Sequence, residues 1–259
     1  MPETIGTLMA RFNGKTAIVT GAAQGIGAAT ARRLASEGAQ VAVIDLSLDR
    51  CEQVIRSINE SGGQAIGFAC DAAIEEQVDS TVAAVVEKFG HLDILVNNAG
   101  ISPGAEFHEL SVELFNRVMA VNAGSVFLFS RAFLRFAAGQ GSGKIVNVGS
   151  QSALGHPGRA NYAASKAAIH ALTATLAAEA GRYNINVNAV APGYVATAMT
   201  AATAANEGLT HEEHQRREAR HTALGRVAAP EDIAAVIAFL ASEDASYISG
   251  QSIYVTGGP

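Results

Sequence analysis

Short β-branched runs alternate with longer helical patterns along the chain, and this alternation restricts the fold more than any other feature. Such a rhythm builds βαβ units around a parallel sheet. Strands are predicted over Thr16–Thr20, Gln40–Asp45, Gln64–Ala69, Ile94–Asn97, Lys144–Val148, Asn184–Val190 and Ser252–Val255. Several are apolar throughout, as strands covered by helices on both faces are. Helices are predicted over Ile26–Glu37, Leu48–Glu60, Ile74–Phe89, Val112–Ala138, Asn161–Arg182 and Pro230–Ala241. Ser47 is the expected N-cap of the second, and Pro230 with Glu231 and Asp232 opens the last. The expected class is α/β, a doubly wound parallel sheet of Rossmann type, with ligands at the carboxyl ends of the strands.

The length of 259 residues suits one large domain, taken as 14–259 after a lead-in over Met1–Asn13 with no assigned function. One stretch breaks the rhythm. Thr197–Arg226 is long for a loop and is expected to be a substrate lid, its charged HEEHQRREARH run forming a solvated helical face. The net charge of −6, without any Lys/Arg-rich run, argues against a nucleic-acid surface. No apolar stretch is expected to reach the roughly 18 residues of a spanning helix, so no membrane partner is expected and cytoplasmic location is the default. Cys51 and Cys70 match neither a metal spacing nor a redox pair, and Cys70 reads as a buried structural thiol. No metal site is expected.

The turn Thr20-Gly21-Ala22-Ala23-Gln24-Gly25-Ile26-Gly27 lies between the first strand and the first helix. Gly21 allows a sharp turn, Gly25 lets backbone approach a pyrophosphate, and Gly27 permits close helix packing. The helix N-terminus then offers N–H groups and positive dipole to phosphates. Asp45 ends the second strand, where a carboxylate accepts hydrogen bonds from a ribose diol and repels a 2′-phosphate. Neither Ala22 nor Leu46 supplies a compensating cation, so NAD is expected ahead of NADP.

Tyr162 and Lys166 stand four residues apart in NYAASK and share one helix face. A cation about 4 Å from a phenolate stabilises it by roughly 4 kcal/mol at an effective dielectric near 20. That would bring a tyrosine from about 10 towards 7, into the range of general acid–base work.

Together these residues resemble the short-chain dehydrogenase/reductase family over essentially the whole chain. Asp71 is similar to the family's adenine contact, Asn97-Asn98-Ala99-Gly100 to its NNAG motif, and Tyr162-Ala-Ala-Ser-Lys166 to YxxxK. Pro192-Gly193 followed by Thr197 looks like the segment that holds the nicotinamide carboxamide. Gln24, Ile26, Leu46, Ala72 and Val195 join the implied cofactor site with Gly21, Gly25, Gly27, Asn98, Ala99 and Gly100. The implied catalytic set is Asn122, Ser150, Tyr162 and Lys166. Ser150 stands twelve residues before Tyr162 where the family usually has thirteen, read as a deletion in the following loop, with Ser152 as the fallback. The resemblance makes Tyr162 the proton donor or acceptor and has Ser150 hold the substrate oxygen. Lys166 would bind the nicotinamide ribose and lower the Tyr162 pKa, and Asn122 would position a water.

The expected activity is hydride transfer between nicotinamide and a small or medium secondary alcohol or ketone. A 3-oxoacyl-(acyl-carrier-protein) reductase is the alternative. Against it stand Asp45 and the uncharged Gly139-Gln140-Gly141, where an acidic carrier would call for basic residues. A dinucleotide-binding regulator without catalysis is a third reading. Ser152, Leu154, His156, Tyr194 and Met199 are pocket candidates by resemblance. A homotetramer is also implied, and apolar residues on more than one face of the two long helices agree with it.

Overall fold

A computed structural model of the chain describes residues 10–258. Seven strands build one sheet: β1 (Thr16–Thr20), β2 (Gln40–Asp45), β3 (Gln64–Ala69), β4 (Ile94–Asn97), β5 (Gly143–Val148), β6 (Ile185–Pro192) and β7 (Ser252–Val255). Their order is β3-β2-β1-β4-β5-β6-β7, and every neighbouring pair is parallel. β1, β4 and β5 are buried at every position, which is why their sequences show no alternation. The order reverses between β1 and β4, and the reversal opens a crevice beyond their carboxyl ends.

The helices are α1 (Gly25–Ser36), α2 (Leu48–Glu60), α3 (Glu75–Phe89), α4 (Val112–Met119), α5 (Ser125–Gln140), α6 (Ala160–Ala180), α7 (Ala198–Asn206), α8 (His211–Ala219) and α9 (Pro230–Ala241). α1, α2 and α9 bury Leu34, Val54, Ile58, Ile233 and Ile237 against one face of the sheet. α3 and α5 bury Val78, Val82, Val85, Phe129 and Phe133 against the other. These two apolar layers hold the strand ends in register. Thr20 therefore lies beside Ile44 and Val19 beside Val96, which brings the glycine turn next to Asp45 and Asn98.

Several local expectations need correction. The helix expected over Val112–Ala138 is interrupted by a π-turn at Ala120–Gly124, which ends α4 and starts α5. Hydrophobic periodicity does not register one inserted residue, and such turns occur where a side chain must be re-aimed. Ser47 takes the N-cap position of α2 with extended backbone, but its side chain makes no capping bond. The run Val112–Gln140 is 29 residues long with hydropathy 1.2, long and apolar enough to cross a membrane by length and composition. It packs here as core helix, with Val118, Phe129 and Phe133 buried and Arg131 and Arg135 paired to Glu75 and Asp79 of α3.

The end of the expected lead-in is ordered. Phe12 is 1 % exposed and Arg11 pairs with Glu37, while residues 1–9 lie outside the described residues. Thr197–Arg226 contains α7 and α8, each opened by a capping box, with Thr197 and Thr210 as the caps. The charged run does form a helix, yet its His214 is buried.

Candidate active site

Gly21 takes φ 61°, and a Cβ there would lie 2.8 Å from Ala99 Cα. A Cβ on Gly27 would lie 2.3 Å from the Gly21 carbonyl oxygen, so the helix packs directly on the turn. α1 starts behind Gln24 without a side-chain cap and without an acidic residue in its first turn, which keeps its positive end available to an anion. The turn is tied to β4 by residues of both segments. Thr20 Oγ1 accepts from the N–H groups of Asn98 and Ala99 at 3.0 Å each. Asn98 Nδ2 donates to the carbonyl oxygens of Thr20 at 2.9 Å and Gly21 at 3.0 Å. The Asn98 amide therefore braces the glycine turn.

Asp45 is 8 % exposed, and its carboxylate accepts from the N–H of Ala23 at 3.2 Å and of Leu46 at 2.9 Å. It also has a cation, which the sequence reading missed: Arg50 Nη1 lies 3.0 Å from Asp45 Oδ1. The premise that Asp45 stands without a compensating cation is overturned. Arg50 sits in the first turn of α2, and that helix aims it back at the end of β2. Asp71 Oδ1 accepts from Ala73 N–H at 3.0 Å and shapes the turn after β3.

Beyond β5, Ser150 begins a short 3-10 turn over Gln151–Leu154, and its Oγ accepts from Ser152 N–H at 3.1 Å. Lys166 is buried in α6. Its Nζ donates to the Val148 carbonyl oxygen at 2.7 Å and stands 5.5 Å from the centre of the Tyr162 ring. Burial lowers the lysine pKa to about 8. The expectation that Lys166 depresses the tyrosine is corrected. Desolvation raises the Tyr162 phenol above its ordinary value, and the partial relief comes from the Ser150 hydroxyl and the Arg159 charge. The lysine's hydrogen bond goes to the Val148 backbone carbonyl. Asn122 Nδ2 donates to Ile101 O at 3.0 Å and Ser165 Oγ at 2.9 Å, while Oδ1 accepts from Ile101 N–H at 2.8 Å. The π-turn thus clamps the segment after β4 to α6.

Every predicted site residue except Gly27 and Asn122 lines one cavity of about 680 Å³. Those two act from behind its wall, by helix packing and by tethering Ile101. Ser150 lines the cavity and Ser152 does not. Of the other pocket candidates only Met199 lines it. Leu154 and His156 are exposed, and Tyr194 turns its hydroxyl to His214 Nδ1 at 2.7 Å. Arg50, Ser102 and Arg117 also line the cavity and had no signal in any motif. The cavity spans from Asp45 beyond β2 to Ser150 beyond β5, three strand spacings or about 14 Å. Its glycine cradle, uncapped helix end, acidic group at one end and buried lysine at the other fit a nicotinamide dinucleotide. Among the described residues no His/Cys/Asp/Glu cluster could hold a metal ion.

Comparisons with known proteins agree with this geometry. The family described as enoyl-(acyl carrier protein) reductase matches residues 21–259. The chain is 40 % identical over 257 residues to the short-chain reductase protein NovJ of Streptomyces niveus, covering 99 % of this chain and 98 % of the relative. It is 39 % identical over 254 residues to 3-oxoacyl-(acyl-carrier-protein) reductase FabG of Thermotoga maritima, covering 96 % and 98 %. Among solved structures, levodione reductase superposes with a TM-score of 0.91 at 32 % identity, covering 95 % of this chain and 97 % of that one.

Proposed function

The chain belongs to the short-chain dehydrogenase/reductase family, and from that premise we propose an NAD-dependent enzyme for a small secondary alcohol or ketone. Oxidoreduction at a CH–OH group follows from the family. The observation that carries the proposal is the convergence of Tyr162, Ser150 and Lys166 on the cavity wall beyond β5.

Bound nicotinamide supplies hydride acceptance or donation; the proton steps belong to the chain. Tyr162 Oη gives a proton to the carbonyl oxygen in reduction and takes it from the alcohol in oxidation. Ser150 Oγ holds the same oxygen and stabilises its developing charge. Lys166, with a pKa of about 8, is still mostly protonated at pH 7 and keeps positive charge behind the tyrosine ring. Desolvation holds the phenol in its protonated form, the form that gives the proton in reduction.

Asp45 supports NAD, since the buried carboxylate would repel a 2′-phosphate, and it also holds Arg50. Gly21, Gln24, Gly25 and Ile26 would cradle the pyrophosphate, with Thr197 packed beside the turn: a Cβ on Gly25 would meet Thr197 Cγ2 at 3.3 Å. α7 and α8 would serve as the substrate lid of a single domain over residues 14–259. Two free buried thiols fit a reducing compartment such as the cytoplasm. Exposed Val112, Phe115 and Phe127 on α4 and α5, and Ile253 and Tyr254 on β7, support a homotetramer.

The second reading, reduction of 3-oxoacyl groups on a carrier protein, is favoured by the Thermotoga relative. The uncharged Gly139-Gln140-Gly141 at the end of α5 supports the first. Tyr162→Phe tests the assignment. It removes the titrating hydroxyl, so turnover of ketones and carbinols with NAD(H) should fall about 10²–10⁴-fold while NADH still binds. A variant that keeps a tenth or more of the rate contradicts the role given to Tyr162. Faster turnover of 3-oxoacyl carrier protein with NADPH than of any free ketone with NADH would favour the second reading.

A further inference from the structure

Arg159 sits three residues before Tyr162, at the N-cap of α6, and ties the cavity-lining Ser102 to α7 from just behind the cavity wall. Its Nη1 donates to Ser102 Oγ at 2.9 Å and its Nη2 to Thr203 Oγ1 at 2.9 Å. Ser102 lines the cavity after β4, and Thr203 lies one turn along α7 from the cavity residue Met199. The side chain is half-buried, yet no carboxylate among the described residues pairs with it. Arg50, Arg131 and Arg226 by contrast each meet an acid. A guanidinium has five N–H donors in a planar fork, and only two are accounted for by hydroxyl partners.

A partly desolvated charge with neutral partners is costly unless something anionic completes it. The position says where that group would come from. Residues three apart at the start of a helix share one face, with Cβ atoms about 5–6 Å apart. The Arg159 charge is close enough to Tyr162 to pull the phenol pKa down, so the fork and the hydroxyl address neighbouring space.

We propose that Arg159 is the substrate-recognition residue of this cavity and that the alcohol or ketone turned over carries a carboxylate a few bonds from the reacting carbon. This rests on the reading of Tyr162 as the proton donor and acceptor. The remaining N–H donors take the carboxylate oxygens while the ketone oxygen lies at Tyr162. Ser102 and Thr203 hold the guanidinium plane in place, so closure of α7 over substrate and recognition of the anion act through one side chain.

A graded series of oxo acids with increasing spacer, each set against its methyl ester, tests this with NADH as cosubstrate. Wild type should prefer an acid to its ester in kcat/KM. Arg159→Met should lower the acid-to-ester ratio of kcat/KM about 10–100-fold, the value of one charge-assisted contact. Arg159→Lys should restore part of the preference. Any influence of Arg159 on Tyr162 affects acid and ester alike and cancels in their ratio.

A parallel fall for acid and ester would make Arg159 a structural brace and overturn the proposal, as would a wild type that prefers esters. Arg117, a guanidinium that itself lines the cavity, is the control. Loss of acid preference in Arg117→Met with none in Arg159→Met would also overturn it. Failure of the underlying reading looks different: no NADH would be consumed with acids, esters or neutral ketones. Calorimetric titration of levulinate then still decides, because binding needs no turnover. Binding to wild type that is lost in Arg159→Met supports the assignment, and equal binding or none to wild type removes it.

Discussion

Burial holds the Lys166 ammonium near a pKa of 8 instead of the ordinary 10.5. The unfolded chain therefore binds more protons than the folded one between those values, and this lysine's contribution to stability rises with pH across that window. Urea unfolding of wild type and Lys166→Met should diverge in favour of wild type from about pH 8 to about 10.5 and then run parallel. A difference that stays flat over the window would remove the buried, charged lysine from the argument. Asp45 poses the second test at this scale. Asp45→Ala removes the repulsion of a 2′-phosphate and releases Arg50, now 3.0 Å away, to bind one. Wild type should prefer NAD in initial rates, and the variant should gain about 10–100-fold in relative use of NADP. Adding Arg50→Ala should take most of that gain back. Equal use of both cofactors by wild type would refute the carboxylate argument.

Elements position these side chains through close contacts that leave little slack. α1 packs on the glycine turn so tightly that a methyl group on Gly27 would stand 2.3 Å from a carbonyl oxygen. Gly27→Ala must open the turn or tilt the helix, at an overpacking cost of about 1–3 kcal/mol. Both the urea midpoint and the NADH affinity should drop, measured by denaturation and by fluorescence titration. A variant with wild-type affinity would show that the turn tolerates the shift. The π-turn between α4 and α5 acts in the same way on the other wall, since it aims Asn122 at Ile101 and Ser165. α8 is anchored by the Tyr194 hydroxyl on buried His214, which ties it to the segment just after Pro192-Gly193.

For the whole molecule, exposed apolar residues in two parts of the chain bear on assembly. Val112, Phe115 and Phe127 lie on α4 and α5, and Phe239, Ile253 and Tyr254 on α9 and β7. Two self-complementary contacts on different faces generate a closed tetramer with three two-fold axes. Light scattering on a size-exclusion column should give the mass of a tetramer at micromolar concentration. A mass near that of a single chain would sink the proposal, and a dimer would leave only one patch in use.

The strand and helix pattern was legible because local burial writes it directly. Strands covered on both faces are apolar throughout, and helix faces repeat at fixed spacing. The same holds for the glycine turn, whose dihedrals only glycine adopts readily at Gly21, and for the order of the motif residues along the chain. What the sequence could not contain was the meeting of side chains from distant elements. Arg50 reaches Asp45 because α2 turns back over β2, and Arg159 reaches Thr203 because α7 folds across the cavity. The spacing of Tyr162 and Lys166 put both on one helix face but did not say where the ammonium would point. Val148 O, brought alongside α6 by β5, took that hydrogen bond. Pattern follows from each residue's own burial, whereas pairing depends on three-dimensional neighbours, and only the packed sheet supplies those.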